Sequence, residues 1–255
     1  MKRLVVLSVV ALLVVSAGCG MTSQAANDAR NEETTTLTTT TGSGSNPSDT
    51  APVGAMLPEG YSQQGIDDPA TAVEQHKAAL NNASYRTQYQ AQEQEGNASK
   101  LVRAVLTNVS LESDQFYQTV YGPGGEVTRE VFQASDSRTT RTVGPDGDAE
   151  ISTEERPFAV TTGMPENRSL EEVLSKLEIS GVEPRTMGGV TFIEFTVSGY
   201  EGKTVETSHF FIYPSGRIRV LMVQFEDGQF TYMSLQQGQV TVQQPEWAGS
   251  GSADS

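Results

Sequence analysis

Turn signals placed between runs of alternating residues constrain this chain more than any other feature. Pro214-Ser215-Gly216 and Asp227-Gly228 each separate two runs rich in β-branched and aromatic residues, and Gly122-Pro123-Gly124-Gly125 does the same earlier in the chain. Such turns join neighbouring strands that run in opposite directions, so consecutive hairpins imply an antiparallel meander. Tyr85, Thr87, Tyr89 and Ala91 alternate with Arg86, Gln88, Gln90 and Gln92, a period of two with one polar face. Strands are expected to continue over 101–111, 115–121, 127–134 and 138–143, with Gly144-Pro145-Asp146-Gly147 ending this series. A second series is expected at 179–185, 190–197, 205–213, 217–225, 229–235 and 240–244.

Two helices accompany the strands. Asp68 followed by Pro69 is a helix start, with the carboxylate as N-cap and proline at the first helical position. Val73, His76, Ala79, Leu80 and Ala83 then recur on one stripe, while Glu74, Gln75, Lys77 and Asn81 face outward. A shorter helix fits 169–177, with Leu170, Val173, Leu174 and Leu177 on one face. A long antiparallel sheet coils and curls. The expected fold class is therefore α+β: a long curved antiparallel sheet, an open half-barrel, packed on one N-terminal amphipathic helix plus a second short helix.

The second half of the sheet is richer in apolar residues than the first. In 210–213 and 220–223 both alternating faces are apolar, so both need cover. Helices can cover one face; sheet curvature, a partner or a ligand must cover the other. A concave groove lined by Val73, His76, Leu80, Phe211, Tyr213, Leu221 and Val223 would suit an apolar or lipid ligand. A filled core without a cavity is the alternative.

Ahead of the domain stand Lys2 and Arg3, an apolar run from Leu4 to Val15, and Ser16-Ala17-Gly18-Cys19. This pattern is that of a secretion signal. A run of 12 residues rises about 18 Å as a helix, short of a hydrocarbon core of about 30 Å. The four residues ending at Cys19 resemble the lipobox of prokaryotic lipoproteins, with Ser16 where Leu is usual. The resemblance implies a diacylglyceryl group on the Cys19 sulfur and a place on the extracytoplasmic face of the cell membrane. An ordinary signal peptide cut nearby would instead leave a stray thiol. Cys19 is the single cysteine, so intrachain disulfides and thiolate metal sites are excluded.

The expected organisation is thus a signal over 1–18, a lipidated N-terminus and Thr/Ser-rich tether over 19–56, one domain over 57–247, and a polar tail over 248–255. The chain holds 32 acids against 17 bases, a formal charge of −15. A field of that sign disfavours nucleic acid and repels anionic head groups. Only five of the bases are Lys, a balance expected in a protein of an extreme halophile, where salt screens the carboxylates; an ordinary acidic protein is the other reading.

The order of signal, lipobox, Thr-rich tether, LPEGYSQQGIDDPATAVEQHKAALNNASY, meander strands and closing VTVQQPEW resembles a family of haloarchaeal lipoproteins. The helix with sheet also resembles the LolA-like half-barrels, which include lipoprotein carriers and lipid-binding lipoproteins. That second resemblance implies apolar-ligand binding and transfers no residues.

Motifs for catalysis are absent from the sequence. His76 and His209 form no HExxH or His-x-His pair, no GxSxG occurs, and no phosphate-cradling glycine motif appears. Asp146-Gly147-Asp148-Ala149-Glu150 lacks the later glycine and glutamate of a calcium loop and is expected to be a solvated hairpin tip. No cofactor and no metal are expected. Asn82, Asn97, Asn108 and Asn167 satisfy the N-glycosylation pattern, with Asn97 and Asn167 placed in loops and Asn108 within a strand. The expected function is a non-enzymatic binding or carrier module for an apolar or lipid ligand; the alternative is a structural or adaptor lipoprotein that binds a protein partner. Replacing Cys19 by Ser is expected to abolish acylation and release the chain from membranes, read by intact mass and fractionation. A membrane-bound mutant of unchanged mass would end the lipoprotein reading.

Overall fold

The computed structural model describes residues 53–96, 98–165 and 168–249. Cys19, Asn97, Asn167 and residues 250–255 lie outside them. The described residues all belong to one unit, Ser48–Ser255, of the two into which the chain divides.

A two-residue-stranded hairpin, β1 (Tyr61–Ser62) and β2 (Gly65–Ile66), precedes helix α1 (Pro69–Leu80). Asp68 caps α1, accepting the Thr71 N–H at 3.1 Å and the Thr71 hydroxyl at 2.7 Å. Ala72, Val73, His76, Ala79 and Leu80 are its buried face. The chain then enters β3 (Tyr85–Glu95) and zigzags through β4 (Ala98–Ser110), β5 (Gln115–Tyr121), β6 (Val127–Ala134), β7 (Ser137–Val143) and β8 (Ala149–Glu155). Helix α2 (Leu170–Ser175) follows, its N-terminus capped by Ser169, which accepts the Glu172 N–H at 3.0 Å. A second zigzag runs through β9 (Leu177–Met187), β10 (Val190–Tyr200), β11 (Lys203–Ile212), β12 (Ile218–Phe225) and β13 (Phe230–Gln237), before a last turn of helix, α3 (Glu246–Gly249).

The two zigzags form one open, curved, wholly antiparallel sheet of eleven strands, in the order β8-β7-β6-β5-β4-β3-β13-β12-β11-β10-β9. The chain starts in the middle, walks out to β8, crosses to the opposite edge at β9, and walks back until β13 meets β3. Both helices pack on one face. The larger core joins Val73, Leu170, Val173 and Leu174 to Ile193, Phe195, Phe210, Ile212, Leu221 and Met233. Each such side chain contributes about 1.5–3 kcal/mol by leaving water. A smaller core under the first zigzag holds Leu80, Tyr85, Val109, Phe116, Val131 and Leu235.

Two expectations need correction. Gly144 to Gly147 does not end the first series: Gly144 N–H donates to Asp148 O at 2.8 Å, closing a hairpin into β8. All seven residues of β8 are exposed, so the strand lacks the apolar alternation by which strands are read. In contrast, 240–244 has strand-like alternation but forms no strand. β13 already has β3 and β12 on its two sides, leaving no edge for a further hairpin partner, and the segment instead carries α3 to β7.

His76 ties α1 to the start of β12. Its Nδ1 accepts the Ile218 N–H at 3.1 Å, and the ring is fully buried. Burial, reinforced by the nearby positive charges of Arg217 and Lys77, pulls its pKa down to about 3. The folded form keeps the ring neutral while an unfolded chain takes up a proton below about pH 6.5. Stability is therefore whole above that pH and falls as pH drops toward 3, by at most about 1.4 kcal/mol per pH unit. Substituting His76→Asn keeps an acceptor for the Ile218 N–H without a titration. Between pH 6.5 and 5, above the range of the carboxylates, the wild-type melting temperature is expected to drop more steeply than that of the variant. Equal slopes would refute the assignment.

Candidate functional site

Crossing from β8 to α2 takes the chain over the helix-covered face of the sheet, and residues 156–165 with 168–169 form a strap there. The strap is pinned along β3 at every second residue. The Tyr85 hydroxyl donates to Thr161 O at 2.7 Å and accepts the Thr161 N–H at 3.0 Å. Two residues on, Thr87 lies so close to Gly163 that a Cβ there would sit 1.8 Å from Thr87 Oγ1. Two further on, the Tyr89 hydroxyl accepts from Arg168 Nη1 at 3.0 Å, while Arg168 Nη2 donates to the Tyr200 hydroxyl at 2.9 Å. The alternation of β3 thus aims three successive side chains at one passing segment. Where the strap leaves the sheet edge, Gln133 Nε2 donates to Arg156 O at 2.5 Å, and the Arg156 N–H donates to Asp136 O at 2.7 Å.

Between strap and sheet lies a pocket of about 490 Å³. The strand register builds its floor. Tyr85, Val109, Phe116, Gln133, Arg138 and Glu154 stand directly opposite one another on β3 to β8, forming a single row on this face. Of that row, Phe116, Gln133 and Arg138 line the pocket; Lys77 of α1 and Arg156, Val160, Met164 and Arg168 of the strap close it. Among the described residues, four that line it are cations and none is acidic. Gln118, also on the floor, is buried and donates to Thr107 Oγ1 at 3.1 Å. Side chains of this kind can hold an amphiphile by apolar contact and its polar end by hydrogen bonds; no nucleophile with an adjacent base is among them.

The residues expected to line a groove are not brought together. Val73, His76 and Leu80 are consumed in the cores. Leu221 and Val223 border a void of about 10 Å³, no larger than one water. Phe211 and Tyr213 point to the opposite face, since they alternate with the core residues Phe210 and Ile212. There Phe192 lies 4.9 Å from Tyr213 and 6.4 Å from Phe211, and His209 stacks on Phe211 at 5.9 Å. His76 and His209 consequently lie on opposite sides of the sheet and share no pocket. Among the described residues no three His, Asp or Glu side chains gather as metal ligands. Asn82 is exposed beyond α1, and its amide donates to Ala79 O at 3.4 Å; Asn108 sits in β4, where its carbonyl accepts from Arg86 Nε at 2.6 Å.

Sequence reasoning missed the pocket residues themselves. A cation at an inward position of β7, Arg138, was the one local signal; its convergence with Lys77, Arg156 and Arg168 depends on the strap.

No family model matches the chain, and no curated protein matches it. Among solved structures it is similar to a chain of the Pseudomonas aeruginosa MucA/MucB complex, with 11% identity and a TM-score of 0.33, over 68% of this chain and 58% of that one. LprF from Mycobacterium bovis shares 13% identity at a TM-score of 0.35, over 69% of this chain and 96% of LprF. A LolA-superfamily protein from Nitrosomonas europaea shares 6% at a TM-score of 0.25, over 70% of this chain and 94% of that one. These likenesses concern the fold alone.

Gly163 tests the strap. Its φ is +75°, and Gly147 in the β7–β8 turn has φ +85° with open space around it. Gly147→Ala is expected to cost about 1 kcal/mol in denaturant unfolding, from backbone conformation alone. Gly163→Ala adds a collision with Thr87 and is expected to cost about 3 kcal/mol. Equal costs would mean that the strap does not lie on β3.

Proposed function

We propose that this chain is a non-enzymatic, extracytoplasmic lipoprotein, held to the membrane by lipid on Cys19, whose domain binds or carries an amphiphilic ligand. The observation that carries the reading is the pocket of about 490 Å³ under the strap, within the usual range for small-molecule sites. The acidic, Lys-poor composition supports a working environment of high salt. A second reading, an adaptor for a protein partner, draws on the Phe192, Phe211, Tyr213 and His209 cluster, on the face away from both helices.

The first reading is tested on the chain lacking residues 1–19, purified without detergent. Native mass spectrometry is expected to show a non-covalently bound amphiphile that organic solvent extracts, and the emptied protein is expected to take up a hydrophobic dye. A protein that is empty as isolated and ignores the dye would overturn the ligand reading; a stoichiometric neighbour in cell-surface crosslinking would then favour the second.

A further inference from the structure

The fold buries its large apolar side chains, with three exceptions among the described residues: Ile151 at 41% exposure, Met187 at 46% and Val190 at 44%. Two of the three stand together. Met187 ends β9 and Val190 begins β10, and the register sets them directly opposite each other across a two-residue turn. Opposed residues project from the same face of a hairpin. Next on that face come Arg185 and Phe192, so the pair points to the side of the sheet away from both helices, beyond the Phe192 and Tyr213 rings.

The tip is built to enter an apolar medium. Gly188 and Gly189 have φ of +59° and +78°, the conformation of a tight turn that leaves few peptide groups outside the ladder. Few unpaired groups matter where no water is present to satisfy them. No charged residue occurs from Thr186 to Ile193. The Thr186 and Thr191 hydroxyls, on either side of the tip, hydrogen-bond to each other at 3.3 Å. The first charge behind them is Arg185, about 7 Å along the strand from Met187. It donates to Glu194 at 2.6 Å and to Glu183 at 2.9 Å. An element seated about 5–10 Å deep in a bilayer interface therefore takes in both apolar side chains and leaves the charged trio among the head groups.

The place of the tip on the domain suits the same medium. Val53–Ala55, the first described residues, form a turn of 3-10 helix beside β9, and β2 lies there too, with Gly65 against Ile179. The chain coming from Cys19 thus joins the sheet at its β9 edge, whereas Ile151 lies on β8 at the opposite edge. Ile179 is about 26 Å from the tip along β9, and residues 20–52 span at most about 120 Å when fully extended. Anchor and tip can therefore reach one surface together. A stable protein interface covers about 800 Å² of each partner, far more than two side chains at a turn supply.

We propose that the β9–β10 tip is a second membrane contact, in which Met187 and Val190 dip into the lipid surface and hold the domain against it. The inference rests on the reading of Cys19 as the lipid anchor.

The test couples the chain lacking residues 1–18 through Cys19, its single thiol, to maleimide-bearing phosphatidylcholine vesicles, so the tether is in place whether or not cells acylate Cys19. With brominated acyl chains in the vesicles, Val190→Trp is expected to show quenching beyond that of the native Trp247, and Ile151→Trp to show none. Uncoupled, the chain lacking residues 1–19 is expected to partition weakly onto the same vesicles. Met187→Ser combined with Val190→Ser is expected to lower that partitioning about tenfold or more, at an unchanged melting temperature. Ile151→Ser is expected to leave it unchanged. Added salt is expected not to weaken the binding, because apolar burial is not screened. An unquenched Val190→Trp, a double variant that partitions like wild type, or binding that salt abolishes each overturns the insertion. A stoichiometric protein crosslinked through residue 190 at the cell surface overturns it too, and reassigns the tip to that partner. Quenching on coupled vesicles, together with a Cys19→Ser chain that stays membrane-bound in cells, supports the tip and overturns the anchor.

Discussion

The pairing of β3 with β13 joins the two ends of the domain, from Phe230 opposite Gln92 to Gln237 opposite Tyr85. Each zigzag on its own is a succession of local hairpins, and only this contact makes them one sheet. The entropic cost of so long a closure grows slowly, by about 0.6 kcal/mol for each doubling of loop length, so eight paired residues and the core beneath them can offset it. The same closure dictates the rest of the architecture. Because the chain leaves and re-enters at the centre, it must cross from one edge to the other, and the crossing has to run over a face.

That crossing gives the fold its cavity. Over the second zigzag, Val73 of α1 and Leu170, Val173 and Leu174 of α2 pack on Phe195 and Phe210 of the sheet and leave a gap of about 10 Å³. Over the first zigzag there is only a thin strap, which Phe158 and Val160 anchor to the small core, and the space beside it stays open. Charge is partitioned along with volume. Acids dominate the composition, yet four cations, Lys77, Arg138, Arg156 and Arg168, line the space under the strap.

Local chemistry was legible where it was strong. Asp68-Pro69 and the stripe through Leu80 fix α1, and the turns at Pro214-Ser215-Gly216 and Asp227-Gly228 fix the hairpins β11-β12 and β12-β13. Edge and centre were not legible, because they are properties of the sheet. β8 needs no apolar residues since it buries none, and 240–244 forms no strand since no edge remains to receive it. Apolarity in this fold marks filled core, as at Val73, Leu80, Leu221 and Val223. The pocket residues are polar and scattered from Lys77 to Arg168, and only the cross-strand rows and the strap bring them together.

The central place of β13 also bears on how the molecule is made. β3 leaves the ribosome early, and its hydrogen-bonding partner is the last strand to be synthesised. Until then one long side of β3 is an unpaired template open to any passing strand. Its sequence meets that exposure: Arg86, Gln88, Gln90 and Gln92 make one face polar, and Glu93 and Glu95 charge its far end. The polarity of the first half of the sheet thus serves the nascent chain, which must wait with its middle unclosed, as much as the finished protein.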